Sequence, residues 1–169
     1  GNLILGMGTS RHSYMKISQL LGIHTGGLHS WHFTSAKIND HKSILSRIFF
    51  SGKALIENLD HLFDIWEEVI LEYDFNNSKR LIEIIKSSKA SMEDSILSSG
   101  NHYVLSRLHS YKSLLGQYNE LTEGISYYRF LEKLLARSEK NPDEVAEEFK
   151  SVTQNLFTKE NIFVNITAP

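Results

Sequence analysis

At Leu55 the hydrophobic spacing of this chain changes from the period of a strand to that of a helix, and that change limits what it can fold into. Upstream, apolar residues tend to alternate along two short stretches, the period of a strand; downstream they recur about every 3.6 residues, the period of a helix. The first stretch, Thr25 to Thr34, is opened by Gly26-Gly27, a pair that marks a turn, a bulge or a close backbone approach. A polar turn at Asn39-Asp40 leads to the second, Lys42 to Ala54. Its apolar residues fall on both parities, as expected of an inner strand.

The helical stripes follow in order. Leu55, Leu59, Leu62, Trp66, Val69 and Tyr73 form the first, and Asn76 to Ser78 break it and can cap the next, which carries Leu81, Ile85, Met92 and Ile96. Gly100-Asn101 is a joint, beyond which Val104, Leu108, Tyr111 and Leu115 continue. A further helix follows Gly124, and Asn141-Pro142-Asp143-Glu144 has the cap, proline and acid of a helix start. Ile162 to Thr167 alternates again and reads as a closing strand. Ahead of all this, Leu3, Ile4 and Met7 have helical spacing, and Ser13 can cap a helix through Ile17, Leu20 and Leu21 that stops at Gly22. The class expected is α+β: an antiparallel sheet with a layer of helices on one face, in one domain over residues 1–169. Three strands are few for so many helices, and the chain starts with Gly rather than Met, so the domain is expected to be partial, truncated at its N-terminus.

Several function classes are set aside by composition and motif. A formal charge of −2 with scattered Lys and Arg gives no footprint for nucleic acid. The absence of cysteine excludes disulfides and thiolate metal sites, and no apolar run reaches the ~18–20 residues of a spanning helix. Of the eight histidines, His29 and His32 fall on opposite faces of a strand, while His102 and His109 share a helix face but make an incomplete site. His24 and His41 have no matching carboxylate pattern. Neither H-E-x-x-H nor H-x-x-E-H occurs, nor a G-x-S-x-G elbow, and Glu67-Glu68, like Glu147-Glu148, reads as a solvated helix face. The residues by themselves nominate no catalytic, cofactor-binding or metal-ligating side chain.

Three ordered stretches nevertheless resemble a known family. They are Met7-Gly8-Thr9 through Tyr14 with Ile23-His24-Thr25-Gly26-Gly27-Leu28; Arg47 to Leu55; and Ser99-Gly100 with Arg107, Glu123-Gly124-Ile125-Ser126-Tyr127, Phe130-Leu131 and the closing NIFVNITA. Together they are similar to the first domain of the C-terminal half of the presequence-protease and falcilysin-like subgroup of the insulinase (pitrilysin) superfamily. The resemblance implies a two-half zinc peptidase that encloses unfolded peptides in a chamber and cuts them there. It also implies that this chain is a non-catalytic piece of it. Aligning the family's Met-Gly-Thr-like turn on Gly8-Thr9 places Asn2 where the general-base Glu stands and Leu3 where the second zinc histidine stands. The third ligand would fall between Arg80 and Glu83. Asn cannot take a proton from a zinc-bound water and Leu cannot bind zinc.

On that resemblance zinc belongs to the parent enzyme and not to this chain. The partners are the remaining domains of the parent and unfolded peptides, with no nucleic acid and no membrane, in a bacterial cytoplasm or an organellar matrix. Gly26 and Gly27 are the structural turn, and Trp31 and Phe33 are the candidates to line the chamber, with core packing as their competing role. Truncation would bare apolar surface and an open sheet edge, favouring a homodimer. The alternative is a catalytically inactive scaffold or subunit that keeps the peptidase fold.

Overall fold

The computed structural model describes residues 2–167. Its elements are α1 (Asn2–Gly6), β1 (Gly8–Thr9), α2 (Tyr14–His24), β2 (Leu28–Lys37), β3 (Asp40–Gly52), α3 (Leu59–Leu71), β4 (Tyr73–Asp74), α4 (Ser78–Ser98), α5 (Gly100–Ser110), α6 (Leu114–Thr122), α7 (Ile125–Lys140) and α8 (Pro142–Leu156), with one 3₁₀ turn at Ile56–Asn58. The α+β class holds, with helix predominating. β2 and β3 form an antiparallel hairpin, in which Trp31 opposes Phe49 and Phe33 opposes Arg47, with an irregularity at Ala36/Lys37. β1 and β4 make a second, minimal antiparallel pair.

Local chemistry explains most of the boundaries. The Ser13 side chain accepts from the Lys16 amide at 3.4 Å and starts α2, and that of Asn77 accepts from the Arg80 amide at 3.1 Å and starts α4. Pro142 occupies the first turn of α8, where its missing N–H costs nothing. α2 runs past Gly22 to His24, because the Thr25 amide and hydroxyl both bond the Leu21 carbonyl.

Two apolar clusters hold the elements together. The larger joins α1, α2, α3, α4, α7 and α8 through Ile4, Met7, Ile17, Val69, Leu81 and Val145 among others, the last two fully buried. The smaller joins α4, α5 and α7 through Met92, Tyr103 and Leu131.

Three expectations are corrected. Ile162–Thr167 forms no strand among the described residues: it follows α8 without regular structure, with Val164 and Ile166 more than 60% exposed. Alternation gives a segment two faces, but a strand also needs a partner's backbone, and no described strand is paired with it. For the same reason β3 is not an inner strand here, since β2 is its one described partner. The stripe expected to run from Val104 to Leu115 breaks at Tyr111–Ser113. There the Ser113 side chain accepts from the Gly116 amide at 3.0 Å and starts a new helix. Val104, Leu108 and Tyr111 are consequently exposed.

This packing has a direct test in chemical denaturation. Leu81→Ala should cost about 2–5 kcal/mol, the range for a buried leucine. Leu97→Ala, at an exposed position of the same helix, should stay within about 0.5 kcal/mol.

Candidate functional site

Of the segments that resemblance assigns to a degenerate zinc site, α1 and the start of α4 touch through Gly6. Helix α1, which carries Asn2 and Leu3, ends against the first turn of α4, which carries Arg80. The Arg80 Nε donates to the Gly6 carbonyl at 2.9 Å, its guanidinium lies 3.9 Å from the Tyr14 ring centroid, and it pairs with Glu83 at 3.2 Å. A fixed cation therefore satisfies the end of α1, while Leu3 packs against the larger cluster. Leu3 and Arg80 do not fit zinc, since a hydrocarbon and a guanidinium offer it no lone pair, and the Glu83 carboxylate is engaged by that guanidinium.

A buried carboxylate organises the next region. Glu68, expected on a solvated face, is 6% exposed. It accepts from the Thr9 hydroxyl and faces the His12 Nδ1 at 2.9 and 3.1 Å through its two oxygens. The His12 amide in turn donates to the Thr9 hydroxyl oxygen at 2.9 Å. One turn further along, Glu72 receives Arg11 and the Ser10 hydroxyl. The Arg11 hydrogen bond, and then that of Ser10, holds the Glu72 carboxyl below its usual range, and Glu72 raises Arg11. Glu68, on α3, and Glu72, just past its end, thus staple down the loop between β1 and α2. Beside it lies a cleft of about 360 Å³ lined by Arg11, His12, His24, His61, Asp64 and Glu68, among others. In it the rings of His24 and His61 stack with centroids 4.1 Å apart. No spacing in the sequence signals that pair, because its members lie on two different helices.

A second buried carboxylate was also missed from sequence. Glu120 Oε1 receives Arg107 at 2.6 Å and both the amide and hydroxyl of Ser126 at 3.1 Å. Gly124, at the start of α7, has no side chain to cap the helix, and Glu120 supplies the missing oxygen from α6. The substitution of any larger residue at Gly124 is blocked, since a Cβ there would collide with the Glu120 carboxylate. Arg107, Gly124 and Ser126, three of the residues that carried the family resemblance, converge on this one carboxylate.

On the hairpin, side chains divide by parity. The even face meets the helices: Phe50 packs edge-on to Trp66 at 5.7 Å, and Ser46 Oγ lies 2.7 Å from the Tyr118 hydroxyl. His32 Nε2 lies 2.7 Å from Thr34 Oγ1 and 3.2 Å from Ser46 Oγ, with Glu123 3.7 Å from its other ring nitrogen. That serine, histidine and glutamate have a triad's order but not its workings. Thr34 competes for the same histidine nitrogen and Tyr118 engages the serine, so the cluster reads as a polar staple between hairpin and α6. Trp31 and Phe33 belong to the other face and to neither buried cluster, which corrects the core-packing role. They are 48% and 47% exposed, with Trp31 stacked on Phe49 at 5.2 Å and Phe33 edge-on to it at 6.3 Å. Gly26 and Gly27 lie between α2 and β2. The Gly26 amide donates to the Lys53 carbonyl at 2.7 Å, and Gly27 has φ +95°, a conformation costly for any other residue.

Among the described residues, no group of three or more His, Cys, Asp or Glu is arranged to hold a metal ion, and no helix is long and apolar enough to cross a membrane.

Comparison with known proteins gives a consistent set. A family model described as Peptidase M-16C associated matches residues 1–134. Protein HypA of Clostridium perfringens is 27% identical over 96% of this chain and 16% of its own length. Presequence protease 1, chloroplastic/mitochondrial, of Arabidopsis thaliana is 26% identical over 98% of this chain and 15% of its own length. The mitochondrial presequence protease of Saccharomyces cerevisiae is 26% identical over 98% of this chain and 17% of its own length. The chain therefore spans about one-sixth of the length of the curated relatives it matches.

Two outcomes follow from the buried and exposed carboxylates. Glu120→Ala should destabilise the fold by about 1.5–3 kcal/mol, the scale of hydrogen bonds to a charged group, as read from urea midpoints. For Glu72 the sign is that of a depressed carboxylate. Its contribution is present above the ordinary value of 4.5 and is lost as pH falls through the lower folded value. The acid limb of the stability profile below about pH 4.5 should therefore be shallower in Glu72→Gln than in the wild type.

Proposed function

This chain belongs to the Peptidase M-16C associated family, and from that premise we propose that it is a non-catalytic domain in the C-terminal half of an insulinase-type zinc metallopeptidase that degrades unfolded peptides inside a closed chamber. The observation that carries the reading is the family match over residues 1–134, and the relatives named presequence protease support it. The α1–α4 junction supports a non-catalytic role, because at the positions that the resemblance aligns with zinc ligands Leu3 packs into the apolar cluster and Arg80 bonds the Gly6 carbonyl. Zinc would be held by another domain of the parent, where it would lower the pKa of a bound water for attack on a peptide carbonyl.

In this reading residues 1–169 act as one domain, and its work is enclosure. The helices supply an outer wall. The bare face of the hairpin, with Trp31, Phe33 and Phe49 side by side, suits contact with extended peptides of mixed sequence, because stacked aromatics offer apolar area without demanding a particular partner. The remaining domains of the parent are then its permanent partners, and a bacterial cytoplasm or an organellar matrix its location. In the isolated chain the same bare face would favour a homodimer.

The test compares the full-length protein with this chain alone on an internally quenched unfolded peptide. The full-length protein should hydrolyse it and lose activity to a zinc chelator, and this chain should do nothing with or without zinc. Chelator-sensitive turnover by the chain alone would overturn the reading. An inert full-length protein would favour the alternative, a scaffold or subunit that keeps the fold without the chemistry. In an active full-length protein, Trp31→Ala and Phe33→Ala should raise KM severalfold with little change in kcat, as loss of substrate contact remote from the metal would do.

A further inference from the structure

The cleft between α2 and α3 contains a feature that the proposed function leaves unused. His24 is the last residue of α2 and His61 lies in the first turn of α3, and their imidazoles stack at 4.1 Å with a 30° tilt. Neither ring makes a hydrogen bond with any described residue, whereas His12 is held by Glu68 and His32 by Thr34 and Ser46. Each ring therefore keeps a nitrogen lone pair uncommitted, and the two sit side by side at the edge of a cleft of about 360 Å³.

We propose that His24 and His61 form a two-imidazole site for a divalent late transition ion, Zn²⁺, Ni²⁺ or Cu²⁺. Two nitrogens bound to one tetrahedral ion at ~2.0–2.1 Å lie about 3.3 Å apart, which is within reach of rings stacked as these are. His61 is exposed, so its ring is free to rotate and bring a lone pair onto an ion shared with His24. The surroundings favour a cation. The carbonyl end of α2 carries its negative dipole at His24, and Asp64 and Glu67 line the same cleft. The one guanidinium there, Arg11, has its charge matched by Glu72. Imidazole donors select late transition ions over Mg²⁺ or Ca²⁺, which want oxygen ligands. No third protein donor is in place, so water fills the remaining positions and binding is reversible and modest. The site lies on α2 and α3, apart from the α1–α4 junction, and does not depend on the peptidase reading.

The experiment is titration of the metal-free chain with ZnCl₂, followed by calorimetry and by the imidazole resonances in NMR. It should show saturable binding of one equivalent, with His24 and His61 the resonances that move, and no competition from excess Mg²⁺. His24→Gln or His61→Gln should weaken binding by at least about tenfold, the scale on which even outer-shell partners of a metal act. The double variant His102→Gln/His109→Gln, on α5, should bind as the wild type does. Circular dichroism of each variant establishes that it is folded, and the exposure of His61 makes its variant the safer of the two. Absence of saturable heat, unmoved His24 and His61 resonances, or equal weakening in the His102/His109 variant would overturn the site, the last pointing to unspecific surface histidines.

Discussion

The apolar stripe of α4 carries both hydrophobic clusters, and the packing of the helices depends on it. Near its start Leu81 and Ile85 enter the larger cluster, and near its end Met92 enters the smaller. At 21 residues the helix is about 30 Å long, so it reaches from the α1–α2–α3 side of the molecule to α5. α7 runs with it and repeats the division, giving Leu134 to one cluster and Leu131 to the other. Helix α1 docks on that frame through Arg80, while the loop ahead of α2 is held by α3 and the hairpin by α3 and α6.

Polar groups fix what apolar packing leaves free. Burial is non-directional, so it brings the loop between β1 and α2 near α3 without choosing its conformation. Glu68 does the choosing, by taking Thr9 and His12 at once. Glu120 does the same for the turn between α6 and α7, tying Arg107 to the amide of Ser126. In both cases a carboxylate on one helix holds a segment that its neighbours in sequence could not hold alone.

Those two residues also mark where reading the sequence stopped. The Ser13 and Asn77 caps, the Gly100 joint, the Asn141-Pro142 start and the hairpin turn are local, and local chemistry specifies them. Glu68 looked like half of a solvated pair because a helix face is assigned by spacing, and its partners Thr9 and His12 lie far upstream in the chain. Ser113 was read through as helix because Leu115 kept the stripe going, although its hydroxyl starts a new one. Ile162–Thr167 has the pattern of a strand without a described partner, a condition that pattern does not encode. The resemblance directs attention to Leu3 and the start of α4 but gives no sign of the contact between Arg80 and α1, which only folding creates.

Between Ile85 and Met92 helix α4 reads Lys-Ser-Ser-Lys-Ala-Ser, a stretch with no large apolar side chain. Along α4 the two clusters are therefore joined by helical backbone, while on α7 Leu131 and Leu134 bring them within one turn of each other. Opening the smaller one exposes Met92, Tyr103 and Leu131 while leaving Leu81 and Val145 covered. Amides of α5 can then exchange with solvent by a sub-global excursion. Along α4 the packing thus has a seam at mid-helix, the place where a local opening would begin.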